Sequence, residues 1–156
     1  MIWKDEVVRQ AKPKKMCEEN FRMLLQCEDK PQALALYKKT IDWALENHYP
    51  DIETIRNHFS DCESEGLFVG RTFSGETFSK QQVYVFHDCH GEINVEMDYD
   101  GKVIPMLYFA NGCDIRIVCR QKNVFPVKFP VYIFGKNTIY TESTDSAIFR
   151  IFYNEC

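Results

Sequence analysis

A triplet of the form apolar-Tyr-apolar recurs at a spacing of 24 residues, as Val83-Tyr84-Val85, Leu107-Tyr108-Phe109 and Val131-Tyr132-Ile133. Each triplet is followed by a second β-type run: Ile93-Asn94-Val95, Ile115-Arg116-Ile117 and Ile139-Tyr140-Thr141. A fixed period in the twenties marks stacked units that cannot bury their apolar faces alone. This pattern suggests a fold and a surface. It does not reveal a reaction.

Alternation along a strand assigns the faces. Val83 and Val85 point one way and Tyr84 and Phe86 the other, and the same split holds at 107/109 against 108 and at 131/133 against 132/134. With the aliphatic set as core, Val85, Phe109 and Ile133 stack inward. Tyr84, Tyr108 and Tyr132 then form an outward ladder flanked by Phe86 and Phe134. In a short parallel β-solenoid, equivalent residues of successive rungs lie about 4.8 Å apart, so such a ladder is continuous. The expectation is a solenoid of about three rungs. The helical half caps one end, and the strand Ala147–Tyr153 caps the other. The alternative is an antiparallel β-sandwich, because Asp100-Gly101 between Ile93–Met97 and Val103–Phe109 is a hairpin-type turn signal.

The first 62 residues read as a helical module and residues 63–156 as the β module, an α+β chain. All seven glycines fall at or after Gly66, where Ala, Leu, Glu and Lys give way to Val, Ile, Phe, Tyr and Thr. In the helical part, Trp3–Gln10 and Glu18–Cys27 are amphipathic segments. Asp29 is an N-cap with Pro31 in the first turn, and that helix runs to about Asn47. Leu34, Tyr37, Ile41 and Ala44 or Leu45 form its apolar stripe. Tyr49-Pro50 breaks it, and Asp51 starts a last helix that buries Ile52, Ile55 and Phe59.

Composition narrows the function. Aromatics make up 14% of the chain, enough for a core, and the net charge is −4. A net acidic chain whose one dense basic run is Lys12, Lys14 and Lys15 argues against nucleic acid as partner. The opening Met1-Ile2-Trp3-Lys4-Asp5-Glu6 has no apolar signal region, and no apolar run approaches the roughly 18 residues of a membrane span. Seven cysteines without a signal read as reduced thiols in a cytoplasmic protein.

At this point the chain resembles a group of uncharacterised proteins from gut anaerobes and their phages. The opening Trp3-Lys4-Asp5-Glu6-Val7-Val8-Arg9-Gln10-Ala11 carries the resemblance, with Leu36-Tyr37, Ile41-Asp42-Trp43, Tyr49-Pro50 and Asn57-His58-Phe59. Gly66-Leu67-Phe68-Val69 matches that group's turn into the β half. The resemblance implies a helical N-terminal half and a short β-solenoid. It also implies a phage or mobile-element accessory protein that acts on a host or virion protein. It carries over no functional residue, and this chain departs from the group's simpler repeats with bulkier Phe and Tyr and more Cys.

His87-Asp88-Cys89-His90 is the compact cluster of metal-ligand types, with Cys113 one repeat after Cys89. It lacks the paired spacings of a structural zinc site, so no metal and no cofactor are expected. No nucleophile signature surrounds any Cys or Ser, and no catalytic residue is assigned. Glu96, Asp98 and Asp100 near one turn, with His90, carry the alternative of a small glycan- or nucleotide-directed hydrolase or lyase. A structural virion component is a third reading. The favoured reading is a non-catalytic protein that binds a protein partner or itself through Tyr84, Phe86, Tyr108, Tyr132 and Phe134, since exposed contiguous aromatics mark contact sites.

Overall fold

The computed structural model describes residues 2–97, 103–121, 128–143 and 148–155. The chain divides into two compact units, the first running to Leu67 and the second spanning Phe68–Glu155.

The first unit is helical: α1 (Trp3–Ala11), α2 (Glu18–Gln26), α3 (Lys30–Lys39), α4 (Ile41–Glu46) and α5 (Ile52–His58). Local chemistry starts these helices. The Asp29 carboxylate accepts from the Gln32 N–H at 2.9 Å and Asp51 accepts from the Thr54 N–H at 2.9 Å, so each supplies a partner for an otherwise unpaired first-turn donor. The helix expected to reach Asn47 is two helices. Thr40 separates them, with φ −109° and its hydroxyl donating back to the Leu36 carbonyl at 3.0 Å. Leu34, Tyr37, Ile41, Ala44 and Leu45 are all buried, as the apolar stripe requires. A small polar network runs through this core. Gln10 donates to Thr54 Oγ1 and accepts from the Asp51 N–H, both at 2.7 Å, and the Tyr49 hydroxyl donates to the Val7 carbonyl at 2.7 Å. No helix among the described residues is long and apolar enough to cross a membrane.

The strands are β1 (Leu67–Val69), which begins on the last residue of the first unit, and, within the second unit, β2 (Thr72–Phe78), β3 (Val83–His87), β4 (His90–Val95), β5 (Met106–Ala110), β6 (Asp114–Cys119), β7 (Phe129–Phe134), β8 (Thr138–Ser143) and β9 (Phe149–Asn154). They form a five-stranded sheet, β1-β3-β5-β7-β9, and a four-stranded sheet, β2-β4-β6-β8. The registers from β2·β4 to β7·β9 are all parallel. The architecture is a mixed α/β arrangement of five helices and two parallel sheets, and it corrects both expected folds. It is not an antiparallel sandwich: β4 and β5, which a hairpin would pair, lie in different sheets. The turn signal Asp100-Gly101 itself lies outside the described residues. Nor is it a three-rung solenoid. The tyrosine triplets mark three strands of one sheet, whereas the larger sheet also takes β1 and β9, and a separate sheet takes β2, β4, β6 and β8.

Side chains from both sheets meet in one core, with Phe86, Phe109 and Phe129 of the larger sheet and Ile93, Ile115 and Ile117 of the smaller all fully buried. One glycine is required by this packing. Gly91 has φ +107°, and a Cβ there would sit 2.0 Å from the Phe73 carbonyl oxygen of the adjacent strand.

Candidate functional site

The register of the larger sheet decides where each candidate aromatic goes. Between β5 and β7 the tyrosines pair as the period predicts, Tyr108 opposite Tyr132. Between β3 and β5 they do not: Tyr84 lies opposite Leu107, Val85 opposite Tyr108, and Phe86 opposite Phe109. The cause is turn length. Two residues, Asp88 and Cys89, join β3 to β4, whereas three, Asn111, Gly112 and Cys113, join β5 to β6. The smaller sheet keeps the 24-residue offset, His90 opposite Asp114 opposite Thr138. The larger sheet therefore absorbs the missing residue as a one-residue slip, and a one-residue slip turns every side chain to the other face.

This corrects the face assignment for two of the five candidates. Tyr84 and Phe86 belong to the core between the sheets, at 5% and 0% exposure. Tyr84 packs edge-on against Phe78 at 4.9 Å, and burial pushes its phenol above the ordinary tyrosine range. Phe86 stacks between Phe68 and Phe109, at 5.2 and 4.8 Å. Val85, expected to stack with Phe109 and Ile133, pairs instead with Tyr108 and lies outside the core cluster. Phe109 and Ile133 are in the core as expected.

The other three candidates share the opposite face. Tyr108 and Tyr132 stack at 4.4 Å with an interplanar angle of 11°, and Phe134 lies 6.2 Å from Tyr108. The stack continues to Phe152 of β9, 4.9 Å from Tyr132 and again at 11°. Exposure rises along it: Tyr108 is buried, Tyr132 is half-buried, and Phe152 is 37% exposed. Phe134 is buried. The open end of the stack therefore lies at β9, where Arg150 sits over the Phe152 ring at 5.0 Å and Tyr153 is 73% exposed. On the last strand of the smaller sheet, Tyr140 is 62% exposed. Sequence reasoning missed Phe152, Tyr153 and Tyr140 as site residues. Phe152 follows Tyr132 by 20 residues, so a search at the 24-residue period passes over it.

The polar turn cluster does not converge. The His87 side chain is buried, with Nδ1 2.7 Å from the Asn111 amide nitrogen. His90 and Asp88 are paired at 3.2 Å at the surface. Cys89 and Cys113 are buried, and each fills a turn. The Cys89 N–H donates to Cys113 Sγ at 3.4 Å, and the Cys113 N–H donates to Asn137 Oδ1 at 2.8 Å, so side chains one repeat apart serve the backbone of the preceding turn. The hydrogen bond to Cys89 and burial hold the Cys113 thiol well above the ordinary cysteine range. Among the described residues no group of three or more His, Cys, Asp or Glu is placed to hold a metal ion. Of the acids that carried the hydrolase alternative, Asp98 and Asp100 lie outside the described residues; Glu96 begins the segment after β4. In the helical unit, an apolar cavity of about 30 Å³ lined by Leu24, Leu34, Tyr37, Tyr49 and Ile55 is about the size of one water. Small-molecule pockets are typically roughly tenfold larger.

Charge on the smaller sheet's outer face is arranged as a cross-strand row. Arg116 on β6 lies 3.8 Å from Glu92 on β4 and bonds Glu142 on β8 at 2.5 Å. What the arrangement offers chemically is contact surface: exposed aromatic rings, one guanidinium and one carboxylate on two edge strands. No protein-family model, curated protein or solved structure matches this chain.

Proposed function

We propose that this is a non-catalytic protein that works by binding another protein or itself, through the open aromatic end formed by Tyr132, Phe152, Tyr153 and Tyr140. One observation carries the reading. The Tyr108–Tyr132–Phe152 stack runs from buried to exposed and stops at β9, the last strand of its sheet. Rigid, partly exposed aromatic surface on the strand that ends its sheet is the composition of an interface anchor, because rings bury much area at small entropic cost. A cytoplasmic accessory protein of a phage or mobile element, acting on a host or virion protein, is the setting this reading fits.

The test is the triple variant Tyr140→Ser, Phe152→Ser and Tyr153→Ser. Substitutions at exposed positions change stability by about 0.5 kcal/mol each, so thermal unfolding is expected to stay close to wild type. Interface aromatics often carry about 2 kcal/mol or more apiece, so sedimentation and pull-down from the source cells are expected to register a loss of association. A folded triple variant that associates as wild type does would overturn the reading.

A further inference from the structure

Beyond the aromatic surface, we propose that the groove at the turn end of the β unit binds a small zwitterion of the α-amino-acid class, one with an apolar or aromatic side chain. The groove has a volume of about 480 Å³, within the usual range of small-molecule sites. His90, Asp114 and Thr138 line it from three adjacent strands of the smaller sheet, where they lie opposite one another. Lys136 lines it from the turn between β7 and β8, and Tyr153 from β9. Cys113 and Ile133, both buried, supply its apolar part.

Charge selects the ligand. Asp114 and Lys136 carry opposite charges and line one groove, yet they do not pair with each other. Among the described residues neither side chain makes an ion pair or a hydrogen bond, and the same holds for the hydroxyls of Thr138 and Tyr153. His90 differs, because its Nε2 is held 3.2 Å from Asp88. Asp114 lies opposite Thr138 on a strand about 4.8 Å away, and Lys136 is two residues before Thr138. The carboxylate and the ammonium therefore fall within the span of one small molecule. A simple anion would gain Lys136 but face the Asp114 carboxylate, and a simple cation would gain Asp114 but face Lys136. An α-amino acid carries both charges on one carbon. Its ammonium donates to Asp114 and its carboxylate accepts from Lys136, each as a charge-assisted hydrogen bond. Its side chain then lies against Ile133, Cys113 and the Tyr153 ring, which is 73% exposed.

The test is an amide NMR titration of the full chain with three probes: L-phenylalanine, phenethylamine, which lacks the carboxylate, and hydrocinnamate, which lacks the ammonium. L-phenylalanine is expected to shift the amides of residues 112–114 and 135–138 saturably, with a dissociation constant in the millimolar range or tighter. Each half-ligand is expected to bind roughly tenfold more weakly or worse, having lost one charged contact. Asp114→Asn should weaken L-phenylalanine and abolish its advantage over hydrocinnamate. Lys136→Gln should weaken it and abolish its advantage over phenethylamine. A merely structural role would weaken all three probes alike. The amide spectra themselves show whether each variant is folded; should either lose its fold, the three probes on the wild type decide. Absence of saturable shifts with L-phenylalanine, equal binding of the three probes, or unchanged preferences in the folded variants overturns the site. Asp114 and Lys136 are left in place by the association test of the aromatic surface, so the two readings stand or fall separately.

Discussion

Phe68, Phe86 and Phe109 stack at 5.2 and 4.8 Å on one face of the larger sheet, and Tyr108, Tyr132 and Phe152 stack at 4.4 and 4.9 Å on the other. The geometry of the two stacks is nearly the same, because both run across hydrogen-bonded neighbouring strands, which are spaced about 4.8 Å apart. Their surroundings differ. The phenylalanine stack is enclosed between two sheets, and the tyrosine stack opens progressively toward β9. Identical stacking therefore serves packing in one place and presents a surface in the other. What separates the two is the face to which a strand's register turns its rings.

The comparison breaks most severely at the enclosed stack. Phe109→Ala removes a fully buried ring that packs on Phe86, and should cost roughly 3–5 kcal/mol in denaturant unfolding. A cost near that of an exposed site would mean that the enclosed stack contributes no packing. Tyr84 and Tyr132 sharpen the contrast, since the same residue type in equivalent triplets lies on opposite faces. Tyr84→Ser should destabilise by about 3 kcal/mol and Tyr132→Ser by about 1 kcal/mol, measured as paired thermal melts. Equal losses at the two tyrosines would contradict the one-residue slip between β3 and β5.

The slip depends on the turns, which makes Asn137 the next site. Its side chain accepts from the Cys113 N–H and donates to the Phe134 carbonyl, both at 2.8 Å. Asn137→Ala leaves the buried Cys113 N–H without that acceptor and should cost about 1–2 kcal/mol. The accompanying change in amide exchange should centre on residues 111–113 and 134–138.

The smallest effect lies outside both stacks and serves as the local control. Desolvation pushes the Asp51 carboxyl up. The Thr54 backbone and side-chain hydrogen bonds, with the charges of Lys14 and Arg9, outweigh it and hold the group below the usual carboxylate range. A depressed folded-state value means the contribution is fully present above the unfolded value of about 3.9 and is lost as pH falls through the folded one. Asp51→Asn keeps a good N-cap, so it should melt within about 1 kcal/mol of wild type at neutral pH. Its stability should also fall less steeply than wild type below about pH 4. An unchanged acid slope would remove Asp51 from the account of α5.

Legibility differed between the units for a physical reason. Asp29, Pro31, Asp51 and the stripe from Leu34 to Leu45 are read over one to three turns, and the helices begin where those residues place them. Thr40 was the exception, because a side-chain bond to the Leu36 carbonyl competes with the helix without changing the apolar period. In the β unit the repeat announced strands and a ladder, and the Tyr108–Tyr132 pair stands as its spacing predicts. The repeat could not announce that one turn is a residue shorter than the next. That difference sends Tyr84 and Phe86 inward; separately, Phe152, 20 residues after Tyr132 and so off the period, extends the ladder.

From the amino-acid order alone came the helical first part, the strand-rich second part and the aromatic rows along it. Each rests on contacts between near neighbours or on a period that a single strand expresses. The tertiary structure decided that the strands sort into two parallel sheets, which tyrosines are core, and that the aromatic stack opens at β9. Those outcomes depend on register between segments about two dozen residues apart, where a single residue more or less in a turn reverses every side chain beyond it.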